Sequence, residues 1–341
     1  MILVLNCGSQ SIKWKLFDEK LKPVKDGKVF VIDAENYQNL LEEELKKINI
    51  TEVSLIGHRV VHGGDKFIKP TKITEEILGE LENISYLAPL HNPYNILGIK
   101  ACSALCGPAS GGQNIPQFVV FDTEFFADLP EKAFTYALPE NIVKEFSFRR
   151  YGFHGTSHEY VAKKSAEKIG KPFSKLRIIT CHLGGGSSIT AIKNGKAIDT
   201  SMGFTPMEGL VMMTRSGSID PGIILEMVKK IGIEKTKEIL NSESGIKGIC
   251  GDGEMLSVLD KMKIDRKAKL AFDVFIYSIQ KYIGAYYAIL GGCDLLVFTG
   301  SIGSGKPATR NAICKNLEIL KKTKILAIET DEELAIAQKI I

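Results

Sequence analysis

Two stretches of this chain share one design, and that repetition limits the fold more than any other feature of the sequence. The stretch from Ile178 to Ile192 reads IITCHLGGGSSITAI: an apolar strand, a glycine run and a second apolar strand. Gly184, Gly185 and Gly186 separate the two, Ser187 and Ser188 follow, and His182 stands at the lip of the turn. The stretch from Ile2 to Asp18 reads ILVLNCGSQSIKWKLFD, again strand, polar glycine turn and alternating strand. Asn6 falls where His182 falls, and Gly8 falls where Gly184 falls. A second polar turn is expected after each, at 25–27 and at 194–195. A repeat this far apart exceeds the short solenoid periods and implies two similar halves. Glycine lets backbone N–H groups turn toward an anion with no Cβ in the way. Each half is therefore expected to offer a phosphate cradle to a shared cleft. The alternative for either stretch is a plain glycine hairpin.

At 341 residues the chain exceeds one typical core, so two domains are expected. A formal charge of +4 is small for this length and argues against a nucleic-acid partner. No apolar run is long enough to span a bilayer, and the apolar start is far too short for a signal peptide. A cytoplasmic protein with no membrane partner is expected. The seven cysteines are odd in number and scattered, and Cys102 and Cys106 lack CxxC spacing, so buried thiols are expected.

Taken in order, a helix is expected over 35–48, then a strand over 53–61 that ends in GHRVVHGG. Arg59 sits inside an apolar run. A buried arginine is costly unless it meets an anion, so it reads as a ligand residue, or else as half of an internal salt bridge. A helix over 74–81 leads to LAPLHNP, where two prolines fix a loop that presents Leu90 and His91. A helix over 95–105 and a small-residue loop over 107–112 follow. The strand over 118–125 ends near Asp122, and the carboxyl ends of strands are where open α/β sheets place their chemistry.

RRYGFHGTSH comes next, with Thr156 or Ser157 expected to cap a helix running to 169. His154 and His158 are four apart but lack the glutamate of HExxH. All six histidines lie in glycine- or proline-bounded stretches and read as site residues more than core residues. The long loop over 199–221 is rich in Gly, Ser, Thr and Met, with Arg215 flanked by small residues, and such loops are usually functional. Helices are expected over 221–231, 235–240 and 267–290. The last has Phe272, Phe275, Ile276, Ile279, Ile283 and Tyr286 on one face. LLVFTGSIGSGK, 295–306, has Walker A spacing, but Pro307 stands where a Ser or Thr should bind magnesium. A strand ending in a glycine turn is the better reading. A strand over 324–329 and an acid-capped helix over 331–341 close the chain.

Several strands thus end in phosphate-sized turns, with arginines and an acid near them and no GxSxG nucleophile elbow. Phosphoryl transfer is the chemistry that needs such a set, because there the protein mainly positions and neutralises charge. At GHRVVHGG, LAPLHNP, FDTEF, RRYGFHGTSH, ITCHLGGGSS, DTSMGFTPMEGL and TRSGSIDP the chain resembles the acetate kinase family. The resemblance implies an α/β chain of two duplicated actin-like, ribonuclease H-like domains with a cleft between them. Domain one would be 1–126 plus 333–341, and domain two, 127–332, would carry the nucleotide side and the interface of a homodimer.

The resemblance also implies reversible transfer between ATP and acetate, with magnesium or manganese. By it, Arg59 and Arg215 hold the carboxylate and the moving phosphoryl group, Asp122 lies beside the acetyl phosphate, and His154 stabilises the transition state. Asn6 and Glu332 would place the metal. Val61, Leu90, Phe153 and Pro206 would surround the methyl group. Lys13, the turn His182, Leu183, Gly184, Gly185 and Gly186, and the turn Ser301, Ile302, Gly303, Ser304 and Gly305 would face the ATP phosphates. The chain departs from the family pattern by being shorter, with losses after Lys25 and before the terminal strand. The family's HLGNG is HLGGG here, its GIGEN turn is SIGSG, and its adenosine segment, ending in arginine, is Asp252, Gly253 and Glu254. The competing readings are a propionate kinase, a kinase with weakened ATP use and another phosphate donor, and a non-catalytic binding protein.

Overall fold

The expected amino-terminal hairpin forms the middle of a sheet. In a computed structural model, which describes residues 1–33, 35–106 and 114–341, strand β1 (Ile2–Cys7) is buried along its whole length. Its partner β2 (Ser11–Phe17) buries every second side chain as far as Leu16, and then Phe17 as well. The loop expected over 107–112 lies outside the described residues. The chain divides into two compact units, the first of Met1–Ala127, His154–Ser157 and Asp331–Ile341, the second of Asp128–Phe153 and His158–Thr330.

The first unit adds β3 (Pro23–Phe30), β4 (Leu55–Val60), β5 (Thr71–Lys72) and β6 (Gln117–Phe121), in the order β3-β2-β1-β4-β6-β5. β1, β4 and β6 run parallel, while β2, β3 and β5 pair antiparallel. Parallel strands covered on both faces read as near-continuous apolar runs, as these do. Leu3, Leu5 and Ile56 pack with Tyr37, Leu41 and Cys102 of the helices Tyr37–Lys46 and Asn92–Cys106. Ile2, Val4 and Val120 pack with Ile336 and Ile340 of the terminal helix Glu332–Ile340. Gly57 makes that approach possible, since a Cβ there would lie 2.8 Å from Ile336 and from Ile340.

The second unit repeats the plan with β7 (Arg177–Leu183), β8 (Ser187–Lys193), β9 (Lys196–Thr200), β10 (Leu295–Thr299) and β11 (Lys324–Ala327), ordered β11-β10-β7-β8-β9. Again the hairpin strands are antiparallel, and β7, β10 and β11 run parallel. The helix Arg266–Leu290, capped by Asp265, lays Phe272, Phe275, Ile279, Ile283 and Tyr286 into the core beside Ile179 and Ile189. Asn6 lies opposite Lys13 and His182 opposite Ser188, one pair before the last in each hairpin.

The chain departs from the sequence expectation in several places. Residues 25–27 are not a turn but part of β3. Gly27 is needed there because a Cβ would lie 2.4 Å from Trp14 Nε1. The turn falls earlier, where Lys20 and Lys22 N–H groups donate to Asp18 and Leu21 adopts a φ of 59°. The second expected turn is present, with Asn194 and Gly195 both at positive φ. β6 stops at Phe121, and a short 3-10 helix, Glu124–Phe126, follows. The helix Gly155–Ile169 starts before Thr156 and Ser157, so neither caps it. After β10 comes a one-turn helix, Gly300–Gly303, rather than an open glycine turn, and Pro307 begins the next helix. No helix among the described residues is long and apolar enough to cross a membrane.

Candidate active site

In the first unit, the ends of β1, β4 and β6 and the start of the terminal helix bring four predicted residues together. Arg59 Nε and Nη2 donate to the two oxygens of Asp122 at 2.9 and 2.6 Å. Arg59 Nη1 lies 3.0 Å from Glu332 Oε2 and donates to Asn6 Oδ1 at 3.2 Å. Asn6 Nδ2 in turn donates to Glu332 and to Glu333, each at 3.2 Å. The arginine therefore has the internal salt bridge that was its alternative reading. Burial pushes the Asp122 carboxyl above the ordinary range against the pull of Arg59, and Glu332 adds to the rise. Burial works against the Arg59 charge, but Asp122 and Glu332 outweigh it and hold the guanidinium above its ordinary value.

His154 is held in the left-handed region at a φ of 60°, and its backbone N–H donates to Asp122. Left-handed backbone at a non-glycine residue is a strain that functional sites often carry. Gly155 anchors it, with its N–H 2.9 Å from the Asp122 carbonyl oxygen, where a Cβ would come within 2.2 Å. Lys13 lies across the hairpin from Asn6. Val61 is half-buried, with its N–H on Asn95, while Leu90 is exposed and His91 opens the helix from Asn92.

Three carboxylates, Asp122, Glu332 and Glu333, act on the one Arg59 guanidinium. Magnesium binds through one or two carboxylates and completes its shell with water and phosphate oxygens. The hard oxygen donors of Asn6, Glu332 and Asp122 fit that habit. Among the described residues no group of three or more His, Cys, Asp or Glu side chains is placed to hold a metal ion.

In the second unit, the glycine turn and the one-turn helix after β10 lie side by side. A Cβ at Gly184 would sit 3.5 Å from Ser301 Oγ, and one at Gly300 would strike the Leu183 carbonyl at 2.5 Å. His182, Leu183, Gly184, Gly185 and Gly186 thus neighbour the turn of Ser301, Ile302, Gly303, Ser304 and Gly305. The Gly185 position opens onto free space. Arg215 is half-buried, and among the described residues its guanidinium has the Pro206 carbonyl at 3.3 Å and Met212 Sδ at 4.0 Å. Burial holds its pKa below the ordinary arginine value. Phe153 is buried. Gly253 packs against Thr214 and Lys247 at ordinary contact distance. Asp252 is committed locally: its carboxylate accepts from Lys261 at 2.6 Å, Ser257 at 2.5 Å and the Glu254 N–H at 2.9 Å.

The histidine expectation fails at two positions. His58 is buried against Gln117 Oε1 at 2.7 Å, and burial lowers its pKa to about 4. His158 is buried between Thr180 and Ser188, each at 2.7 Å. Both are satisfied core residues. Glu333 was missed, although it shares the acid-rich DEE run with Glu332.

The description of the Acetokinase family matches residues 34–339. The acetate kinase of Dictyoglomus turgidum is 42% identical, with 100% of this chain and 96% of that protein covered. The chain belongs to the acetokinase family. That of Carboxydothermus hydrogenoformans is 42% identical over 99% of this chain and 98% of its own length. Among solved structures, the Porphyromonas gingivalis acetate kinase aligns with a TM-score of 0.87 at 36% identity, covering 99% of this chain and 98% of its own. A Francisella tularensis propionate kinase aligns with a TM-score of 0.89 at 35% identity over the same shares. The acetokinase assignment makes the chain a phosphotransferase with a carboxyl group as acceptor, on the actin-like ATPase fold. The binding-protein reading is thereby set aside.

Proposed function

We propose that the chain catalyses reversible transfer of a phosphoryl group between ATP and acetate, giving acetyl phosphate and ADP, with magnesium or manganese. The observation that carries this reading is the Arg59 cluster, in which one guanidinium holds Asp122, Glu332 and Asn6 at the ends of the central strands and the start of the terminal helix. An acetate oxygen bonds to the γ-phosphorus as the bond to the ADP oxygen breaks, and ADP leaves with that electron pair. Acetate is already ionised at neutral pH, so no base is needed. A bound divalent ion, held through Asn6 and Glu332, would neutralise phosphate charge.

Arg59 is suited to pair in bidentate fashion with a carboxylate or phosphate. Its own pairing with Asp122 keeps the guanidinium plane fixed until a substrate anion competes for it. His154 and Arg215 take the charge that grows on the equatorial oxygens. The backbone N–H groups of the two glycine-rich turns suit the ATP phosphates. Asp252 is spent on Lys261, Ser257 and Glu254, and Gly253 offers no side chain to the nucleoside, which supports weak discrimination among nucleotide donors. The helix Pro221–Ile231 leaves Ile223, Leu225 and Ile231 exposed, which supports a homodimer. Asp122→Asn tests the assignment. Its expected effect is a fall in kcat of about 10² or more with the fold retained. Near wild-type kcat in that variant would remove Asp122 from the mechanism.

A further inference from the structure

The loop between β9 and the helix Pro221–Ile231 carries one carboxylate before Asp220, which is Glu208, and one guanidinium, which is Arg215. Opposite charges withdrawn from water in one loop would ordinarily pair. Here they are kept apart. Glu208 Oε1 accepts from Arg150 Nη2 at 2.7 Å, and Oε2 accepts from the Tyr136 hydroxyl. Arg150 also donates to the carbonyls of Ser201 and Met202, at 3.3 and 3.1 Å. The Tyr136 oxygen accepts from the Phe204 N–H at 2.9 Å. Gly203 lets the clasp close, since a Cβ there would lie 1.7 Å from Glu208 Oε2 and 2.1 Å from the tyrosine oxygen.

Arg215 has no carboxylate partner among the described residues, only the Pro206 carbonyl and the Met212 sulfur. Arg215 Nη1 donates to the carbonyl of Pro206, two residues before Glu208. Glu208 and Ser216, the residue after Arg215, line the same cavity of about 300 Å³. A Glu208 released from its clasp would stand two residues along the chain from the carbonyl that holds the guanidinium.

We propose that Arg150 and Tyr136 sequester the Glu208 carboxylate, so that Arg215 stays without an internal counter-ion and pairs with the substrate's anion instead. Arg150, Tyr136 and Glu208 are then positioning residues. The proposal rests on the reading of Arg215 as a group that meets the phosphoryl or carboxylate charge. It differs from a simple structural clasp in one respect: removing Glu208 should repair the damage done by removing Arg150.

The experiment measures kcat and the KM for acetate of Arg150→Met, Arg150→Lys, Arg150→Met/Glu208→Gln and Arg215→Ala, each checked for a cooperative melt. Arg150→Met frees Glu208 to pair with Arg215, and kcat should fall by about 10². Arg150→Lys keeps a cation for Glu208 but cannot hold the two carbonyls as the guanidinium does. It should lose melting temperature yet keep kcat within about threefold. The double variant should recover at least about tenfold in kcat over Arg150→Met, a coupling that two members of one structural clasp would not show. If Arg150→Met does not fold, the double variant decides alone, and kcat within about tenfold of wild type is then expected. No recovery in the double variant, or Arg150→Lys as poor as Arg150→Met, overturns the sequestration while leaving the role of Arg215 standing. Wild-type kcat in Arg215→Ala overturns that role, and this proposal with it.

Discussion

On the proposed role, Arg215 is a cost the fold carries in order to meet a substrate anion. A guanidinium taken from water with a carbonyl and a thioether as neighbours gains little in the resting protein. Arg215→Ala should therefore lower kcat by about 10²–10³ and leave the melting temperature unchanged or raised. Initial rates and a thermal melt on one preparation check both halves, and an active variant would end the assignment. His58 makes the opposite kind of residue, one that stabilises and does no chemistry. Burial lowers its pKa to about 4, so the fold keeps the ring neutral where the unfolded chain, near pH 6.5, would protonate it. The unfolded state then binds more protons between about pH 6.5 and 4, and stability is lost as pH falls through that window. Between pH 7.5 and pH 5 the loss from this one ring is about 2 kcal/mol. Urea melts of wild type and His58→Gln should show the wild type losing that much more than the variant. Equal losses would show that the ring does not stay neutral on folding.

The two glycine-rich turns of the second unit differ in what their glycines are for. Gly185 faces open space at an ordinary φ, whereas Gly300 sits at a φ of 77° with its missing Cβ aimed at the Leu183 carbonyl. Gly185→Asn should change stability by less than about 0.5 kcal/mol and lower the KM for ATP by adding an amide donor. Gly300→Ala should destabilise by about 1–3 kcal/mol. Denaturant midpoints and ATP titrations separate the pair, and the reverse order would contradict this geometry. The same elements show how much the sequence disclosed. β1, β7 and β10 were legible because strands covered on both faces need unbroken apolar runs. The helix Pro221–Ile231 falls where it was expected, and the structure shows Asp220 capping it with proline at its first position. Gly27 misled because its reason is Trp14, thirteen residues earlier and across the hairpin. The candidate site was readable where its residues sit at strand ends, as Arg59 and Asp122 do. His58 and His158 were misread, because their polar partners lie on other elements well along the chain, Gln117 on β6 for the first and Thr180 and Ser188 on β7 and β8 for the second. The Arg150, Tyr136 and Glu208 clasp was not readable at all, since its members lie 58 and 72 residues apart and nothing local predicts their meeting.

At the scale of the whole molecule, the two sheets repeat one strand order around different residues. Each unit sets a polar group, Asn6 or His182, one pair before the end of its central hairpin. The first unit surrounds its hairpin with carboxylates and an arginine, while the second surrounds its own with glycines and hydroxyls. Duplication followed by such divergence suits a reaction with two unlike substrates, one a small carboxylate and one a phosphate chain. An apolar site distinguishes one methylene by only about 1–3 kcal/mol, so propionate should serve as a poorer acceptor. The most direct test of the central claim is acetyl phosphate formation, trapped as the hydroxamate, in a mixture of protein, ATP, magnesium and acetate. The account predicts product that requires all four components and falls, without vanishing, when propionate replaces acetate. No product above the acetate-free control, from protein that melts cooperatively, would contradict it.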